Sequence, residues 1–197
     1  MTRKLALDTN CLIDLEENRP DAHHVRTLIG AWKKGQVELA VVAVSASENQ
    51  PRGIASQDFG VFEAKLDNLG LTGVHYLLPL AIWNVFYWDH ALWSSAEMEA
   101  MESKIRGILF PGIPMAPPTN IDEYSVWRNR MCDVQVACSC IHHQWECLVT
   151  RDKNFLDHHV ELEIRIAFDA LVPLLEATLE IVLGRGHRER DLQRLRD

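Results

Sequence analysis

Two short apolar runs, each leading into an acidic residue, constrain this chain more than any other feature. Leu5-Ala6-Leu7 runs into Asp8, and Cys147-Leu148-Val149-Thr150 is followed, one residue on, by Asp152. Runs this short and this apolar suit strands of a parallel sheet, which are buried on both faces. Val37 to Val44 reads as another such strand and Val74 to Leu80 as a further one, with Pro79 limiting where the latter lies. Ile164 to Phe168 reads as a fifth. Helical patterns separate the runs. Strands alternating with helices predict an α/β fold, here a three-layer α/β/α domain around a central parallel sheet of about four to five strands.

The helices follow from spacing and from caps. Asn10 is the expected cap of a helix reaching Glu17, with Cys11, Leu12 and Leu15 as its apolar stripe. Pro20 opens a second helix, with Val25, Leu28, Ile29 and Trp32 on one face and Gly35 just past its end. Ser45-Ala46-Ser47-Glu48 has the spacing of a capping box. Helices are expected over Gln57 to Leu69, over Ser94 to Ile108 with Ser94 or Ser95 as cap, over Asp122 to Trp145, and over Pro173 to Leu183. Phe110 to Asn120 is proline-rich and reads as a loop. This gives one domain over residues 1–184, with a helical insertion around 51–120, and a charged tail over 185–197.

Composition excludes some partners. The net charge of −8 gives the surface as a whole no attraction for nucleic acid, so a polyanion needs a local basic patch or a bound cation. The charge-free stretch from Asn68 to Trp88 carries Gly70, Gly73, His75, Pro79 and Asn84 and is flanked by acids, which argues against a membrane span. Thr2-Arg3-Lys4 precedes too few apolar residues for a secretory signal. The five cysteines are odd in number and form no C-x-x-C, which suggests buried thiols in a reducing, cytoplasmic setting.

Four acids have local settings that aim them at one point. Asp8 and Asp152 follow strands, Glu48 follows the run ending at Val44, and Asp133 lies within a long helical pattern. Residues just past the carboxyl ends of adjacent parallel strands line a common crevice. Carboxylates converging there repel one another unless a divalent cation sits between them, and hard oxygen donors suit Mg²⁺ or Mn²⁺. The bland alternative for Asp8-Thr9-Asn10 and for Asp152 is a helix cap, a position that favours Asp and Asn in any case.

With Leu5-Ala6-Leu7-Asp8-Thr9-Asn10, Glu48, Met131-Cys132-Asp133-Val134 and Thr150-Arg151-Asp152-Lys153-Asn154-Phe155 taken in order, the chain resembles the PIN-domain family. The resemblance spans roughly residues 4–50 and 122–184; the middle carries no motif of the family. It implies a metal-dependent endoribonuclease using Mg²⁺ or Mn²⁺. In that reading Asp8 and Asp152 are the most direct ligands, and Glu48 and Asp133 complete the shell or bind through water. Thr9, Asn10, Thr150 and Asn154 orient ligands or substrate. One or two cations supply an activated water and charge neutralisation without a histidine base. Arg128, Arg130 and Arg151 flank the acids and are the candidate phosphate contacts. The resemblance also admits the toxin of a toxin–antitoxin pair with a small antitoxin partner, a homodimer, and a catalytically inactive scaffold binding protein or RNA. A phosphatase or a phosphorylated receiver domain also uses an Asp at a strand end, but a haloacid-dehalogenase-like phosphatase wants a second Asp at position 10, where Asn stands.

Other conspicuous residues carry less. The pairs His23-His24, His142-His143 and His158-His159, and Cys138-x-Cys140, put neighbours on different helix faces and make poor metal sites. Trp83, Phe86, Tyr87, Trp88 and Trp93 form an aromatic group without interleaved basic residues, which favours core or a self-association surface over base stacking.

Overall fold

The computed structural model describes residues 2–48 and 58–164. Four strands, β1 (Arg3–Leu7), β2 (Val37–Val42), β3 (His75–Leu77) and β4 (Cys147–Val149), form one sheet in the order β3-β2-β1-β4. All three pairings are parallel, with Leu5 opposite both Leu39 and Cys147, and Val42 opposite Leu77. The fold is therefore α/β, with helices on both faces of the sheet.

Alternation along the strands builds the two faces. Leu5, Leu7, Leu39 and Val41 point to one side, where they meet α1 (Thr9–Glu16), α2 (Ala22–Lys33) and α3 (Gly60–Asn68) through Leu12, Leu15, Val25, Leu28 and Leu66. Ala6, Ala40, Val42 and Leu148 point to the other side. There they meet α4 (Ala96–Leu109), α5 (Ile121–His142) and α6 (Lys153–His158) through Ile105, Met131, Val134, Cys138 and Phe155. The small side chains Ala6 and Ala40 let the long α5 lie close to the sheet. Each fully buried Leu or Val contributes roughly 1.5–3 kcal/mol, so both layers are needed to hold so short a sheet.

Most boundaries follow the expected runs, with physical reasons for the departures. The second strand stops at Val42 because Ala43–Ala46 turns into a single 3-10 turn, which swings the chain toward the carboxyl end of β1. Ser45 is thus inside that turn, not the cap of an α-helix. The first helix is capped by Asp8 rather than Asn10, and α2 starts at Ala22, with Asp21 as a cap that makes no side-chain hydrogen bond. Gly35 closes α2 with φ +70, a conformation that only glycine adopts freely. Ser95 caps α4 by accepting from the Met98 amide. Asn120 caps α5, accepting from the amides of Asp122 and Glu123. Trp145 lies past the end of α5 and stacks on His75 instead of continuing the helical stripe.

The stretch expected as an insertion supplies α3, the edge strand β3 and α4, and so belongs to the sheet and to both covering layers. Apart from Ile164, the expected fifth strand lies outside the described residues, as do the Pro173 to Leu183 helix and the charged tail. Among the described residues no helix is long and apolar enough to cross a membrane.

Candidate active site

The chain leaves β1 toward β2 and β3 on one side, while β4 joins β1 on the other. The crevice at the carboxyl ends of β1 and β4 is therefore the point where the strand order reverses, the usual place for a ligand in an open α/β sheet. Asp8 leaves β1 there with extended backbone (φ −77, ψ 160) and begins α1. Asp152 leaves β4 in the same manner (φ −66, ψ 125) and begins α6. Capping explains both positions locally: Asp8 Oδ1 accepts from the Thr9 amide at 2.7 Å, and Asp152 Oδ1 accepts from the Asn154 amide at 2.7 Å.

Thr150 and Asn10 knit the two turns together. The Thr150 hydroxyl donates to Asp8 Oδ2 at 2.5 Å and accepts from Asn10 Nδ2 and from the Asp152 amide, each at 2.9 Å. A hydroxyl has one donor and two acceptor sites, so this one is saturated. Asn10 Nδ2 also donates to Asp8 Oδ2 at 2.7 Å, and Asn10 Oδ1 accepts from the Arg151 amide at 3.3 Å. Asn154 contributes its backbone amide to this network. On the β2 side, the hydroxyls of Thr9 and Ser45 bond each other at 2.8 Å, and Thr9 also bonds the Glu48 carboxyl. Thr9 has a single hydroxyl proton, so when it donates to Glu48 the Ser45 hydroxyl donates to Thr9. Ser45 is thus part of the site, a role its sequence position as an apparent cap concealed.

The four acids share one electrostatic environment. Burial pushes Asp8 up to about 6, opposed by its bonds to Thr150 and Thr9 and helped by the charge of Asp152. Burial pushes Glu48 up to about 8, with Asp8 and Asp152 adding to it and Thr9 and Arg128 opposing. Asp133, which α5 presents from the opposite layer, is raised well above the usual carboxylate range. Burial is the main cause, followed by the charges of Glu48, Asp8 and Asp152. The charge of Asp152 thus reaches Asp8, Glu48 and Asp133, and that of Asp8 reaches Glu48 and Asp133, as groups facing one crevice would.

A divalent cation fits the donor chemistry of these residues but not yet their placement. Four carboxylates supply hard oxygen ligands, and Glu48 Oε2 is buried with no hydrogen-bond partner among the described residues. As the side chains stand, however, no group of three or more His, Cys, Asp or Glu among the described residues is set to hold a metal ion. The structure thus provides the donors without a closed shell.

The three candidate arginines separate. Arg128 is fully buried; its Nε donates to Asn84 O at 3.0 Å and its Nη1 to Ser47 O. Spent on main-chain carbonyls, it is a buttress beneath the Glu48 turn and is not presented to a phosphate. Arg151 is held by the fully buried Asp14 and by Asp21, the latter at 3.2 Å, so it clamps the turn after β4 to α1 and α2. Arg130 is exposed, lies over the Phe110 ring at 5.5 Å and is close enough to Asp133 to oppose its upward shift. Of the three, it alone keeps the position expected of a phosphate contact. Asp14, an acid on the apolar side of α1 among Cys11, Leu12 and Leu15, is the sequence signal that a buried ion pair was due there. No protein-family model, curated protein or solved structure matches this chain.

Proposed function

We propose that this chain is a metal-dependent nuclease of the PIN type, acting on RNA as an endoribonuclease. The observation that supports the reading is the gathering of Asp8, Glu48, Asp133 and Asp152 about the switch-point crevice, each raising or being raised by the others. Asp8, Glu48, Asp133 and Asp152 would hold Mg²⁺ or Mn²⁺, which supplies charge neutralisation at the phosphate and an acidified water. The chain's own part is positioning. Thr150 and Asn10 fix Asp8, the α6 amide of Asn154 fixes Asp152, and Thr9 with Ser45 fixes Glu48. Glu48 Oε2, buried and without a partner, is the atom at which a proton from water is most readily held. Arg130 would be the side chain that meets substrate phosphate. Five free, buried cysteines suit the reducing interior of a cell. The family resemblance extends this reading to a toxin held in check by a small antitoxin.

A second reading is a non-catalytic scaffold that binds protein or RNA. It is favoured by the absence, among the described residues, of any acid group already set around a metal position. Cleavage of single-stranded and duplex RNA and DNA, each in EDTA, Mg²⁺ and Mn²⁺, separates the two. The nuclease reading expects cleavage of RNA only with added metal, lost in Asp8→Asn. Metal-independent cleavage, or none with any substrate by folded protein, replaces it with the scaffold.

A further inference from the structure

The aromatic group expected as core or as a self-association surface divides: Tyr87 is in the core, while Trp83, Trp88 and Trp93 are 69%, 64% and 80% exposed. The three tryptophans form one continuous row. Trp83 and Trp88 meet edge to face at 6.3 Å between centroids, Trp88 and Trp93 meet at 6.5 Å, and Phe86 backs Trp88 at 5.4 Å. At up to ~250 Å² per ring, the exposed parts come to about 500 Å², near the upper end of what a monomer shows without a use for it.

The loop that carries the row is pinned. Leu92 N donates to Pro79 O at 2.8 Å and Ala81 N to Leu92 O at 2.9 Å, which closes its base. Within it, Asn84 O is gripped by Arg128, and the buried Tyr87 donates its hydroxyl to Ala46 O at 3.2 Å. Asn84 and Asp89 take positive φ (63 and 66), turning the chain so that successive tryptophans face outward. A loop whose buried polar atoms are spent on holding three large rings in water is built for display.

Charge selects the occupant. No Lys or Arg occurs between Lys65 and Lys104. Next to the rings in sequence come Asp89, which follows Trp88, and, soon after Trp93, Glu97 and Glu99, which accept from the Ser95 and Ser94 hydroxyls at 2.7 Å. Single-stranded nucleic acid needs aromatic rings set in a positive groove, and a second copy of this acidic chain would bring like charges together. Aromatic faces are attractive to cations, and carboxylates at their margin add to that attraction. We propose that this aromatic–acidic row is a docking surface for an arginine-rich protein segment, with guanidinium groups laid on Trp83, Trp88 and Trp93 and paired at the margin with Glu97, Glu99 and Asp89.

The test is titration of the full chain, in EDTA and without RNA, with an arginine octamer peptide, its lysine counterpart and a glutamate octamer, read by tryptophan fluorescence and calorimetry. The arginine peptide should bind saturably and ahead of lysine, the planar guanidinium being the better partner for a ring. Each single Trp→Ala change should weaken it about three-fold, and the triple change tenfold or more. E97Q/E99Q, which leaves the rings in place, should weaken it and flatten its salt dependence. Asp133→Asn should leave binding intact, which separates this surface from the acidic crevice and makes the result independent of nuclease activity. Unchanged binding by the triple Trp variant, or binding that follows Asp133 instead, overturns the proposal in favour of general attraction to an acidic chain. A dimer in sedimentation that the triple variant dissolves assigns the row to self-association. Quenching by an RNA oligonucleotide, absent with the arginine peptide, assigns it to base stacking.

Discussion

One hydroxyl, that of Thr150, makes three of the contacts that join the two acidic turns, so it is where a single atom matters most. Thr150→Val keeps the shape but leaves Asp8 Oδ2, Asn10 and the Asp152 amide each short of a partner in a buried place. Stability should drop by roughly 1–3 kcal/mol in urea unfolding. Asp8 should also become harder to ionise, because the Thr150 bond is the largest influence holding its pKa down against burial. Asp8→Asn is a different experiment. Asn caps helices as well as Asp does, so α1 survives while cleavage disappears, although the new amide nitrogen faces the Asn10 amide and offsets part of the stability gained from lost repulsion. Asp152→Asn should do the same, and Glu48→Gln or Asp133→Asn should be severely impaired. Wild-type cleavage by Asp8→Asn at saturating Mg²⁺ would remove the catalytic assignment. The arginines test roles by contrast. Arg128→Met should lower the melting temperature, because two carbonyls and a fully buried charge lose their arrangement, whereas Arg130→Ala should leave melting alone and raise KM for RNA. Asp8 and Asp152 were legible in sequence because strand ends announce themselves. The difference between Arg128 and Arg130 was not, since both come shortly before Asp133, by five and three residues, and only the rotation of α5 decides which one is buried.

At the scale of elements, the site rests on three helices that start or turn where strands stop. Asp8 opens α1 and Asp152 opens α6, while the clamp from Arg151 to Asp14 and Asp21 sets α1 and α2 against the turn after β4. Asp14 is fully buried, and Arg151→Met leaves it, among the described residues, only the longer ion pair to Arg19, at 3.7 Å. The loss should be smaller than the about 3–5 kcal/mol of a wholly unpaired buried charge, with much of it recovered in the double variant Asp14→Leu/Arg151→Met. If the double variant is no better than the single one in denaturant unfolding, the pair is not the source of the loss. Apolar runs made β1, β2 and β4 legible, and the serine cap and the proline-rich loop located the starts of α4 and α5 to within a residue or two. Two things were not. The 3-10 turn after Val42 has the composition of a strand that continues, so Ser45 read as a cap when it is a partner of Thr9. The tryptophans read as core or as a self-association surface because no basic residues interleave with them, and the spacing does not say which. Nothing in their spacing records that Arg128 and Tyr87 pin the loop from inside and leave the rings outside.

Across the whole molecule, acids crowded into one crevice make stability depend on protons and, in the proposed reading, on metal. Unfolded Asp and Glu ionise near pH 4, whereas Asp8 is raised to about 6, Glu48 to about 8, and Asp133 is raised as well. Between those values the folded chain binds more protons than the unfolded one. Stability is then fully present below about pH 4 for these groups, and it falls as pH rises through 6 and toward 8. The net charge of −8 at neutral pH works in the same direction. A divalent cation that binds only the folded crevice should reverse the loss by mass action, by about 2.7 kcal/mol at a hundredfold excess over its dissociation constant. Asp8→Asn relieves repulsion and removes a ligand in one step. In EDTA at neutral pH it should melt at or above the wild-type temperature, yet gain far less from added metal. A melting series on both proteins from pH 5 to 8, in EDTA, Mg²⁺ and Mn²⁺, reads all of this at once. Wild-type stability that rises with pH in EDTA contradicts the crowding of protonated acids. A wild type unmoved by millimolar metal, or a variant shifted just as far, means that these carboxylates, although gathered, do not form a metal site, and the scaffold reading takes over.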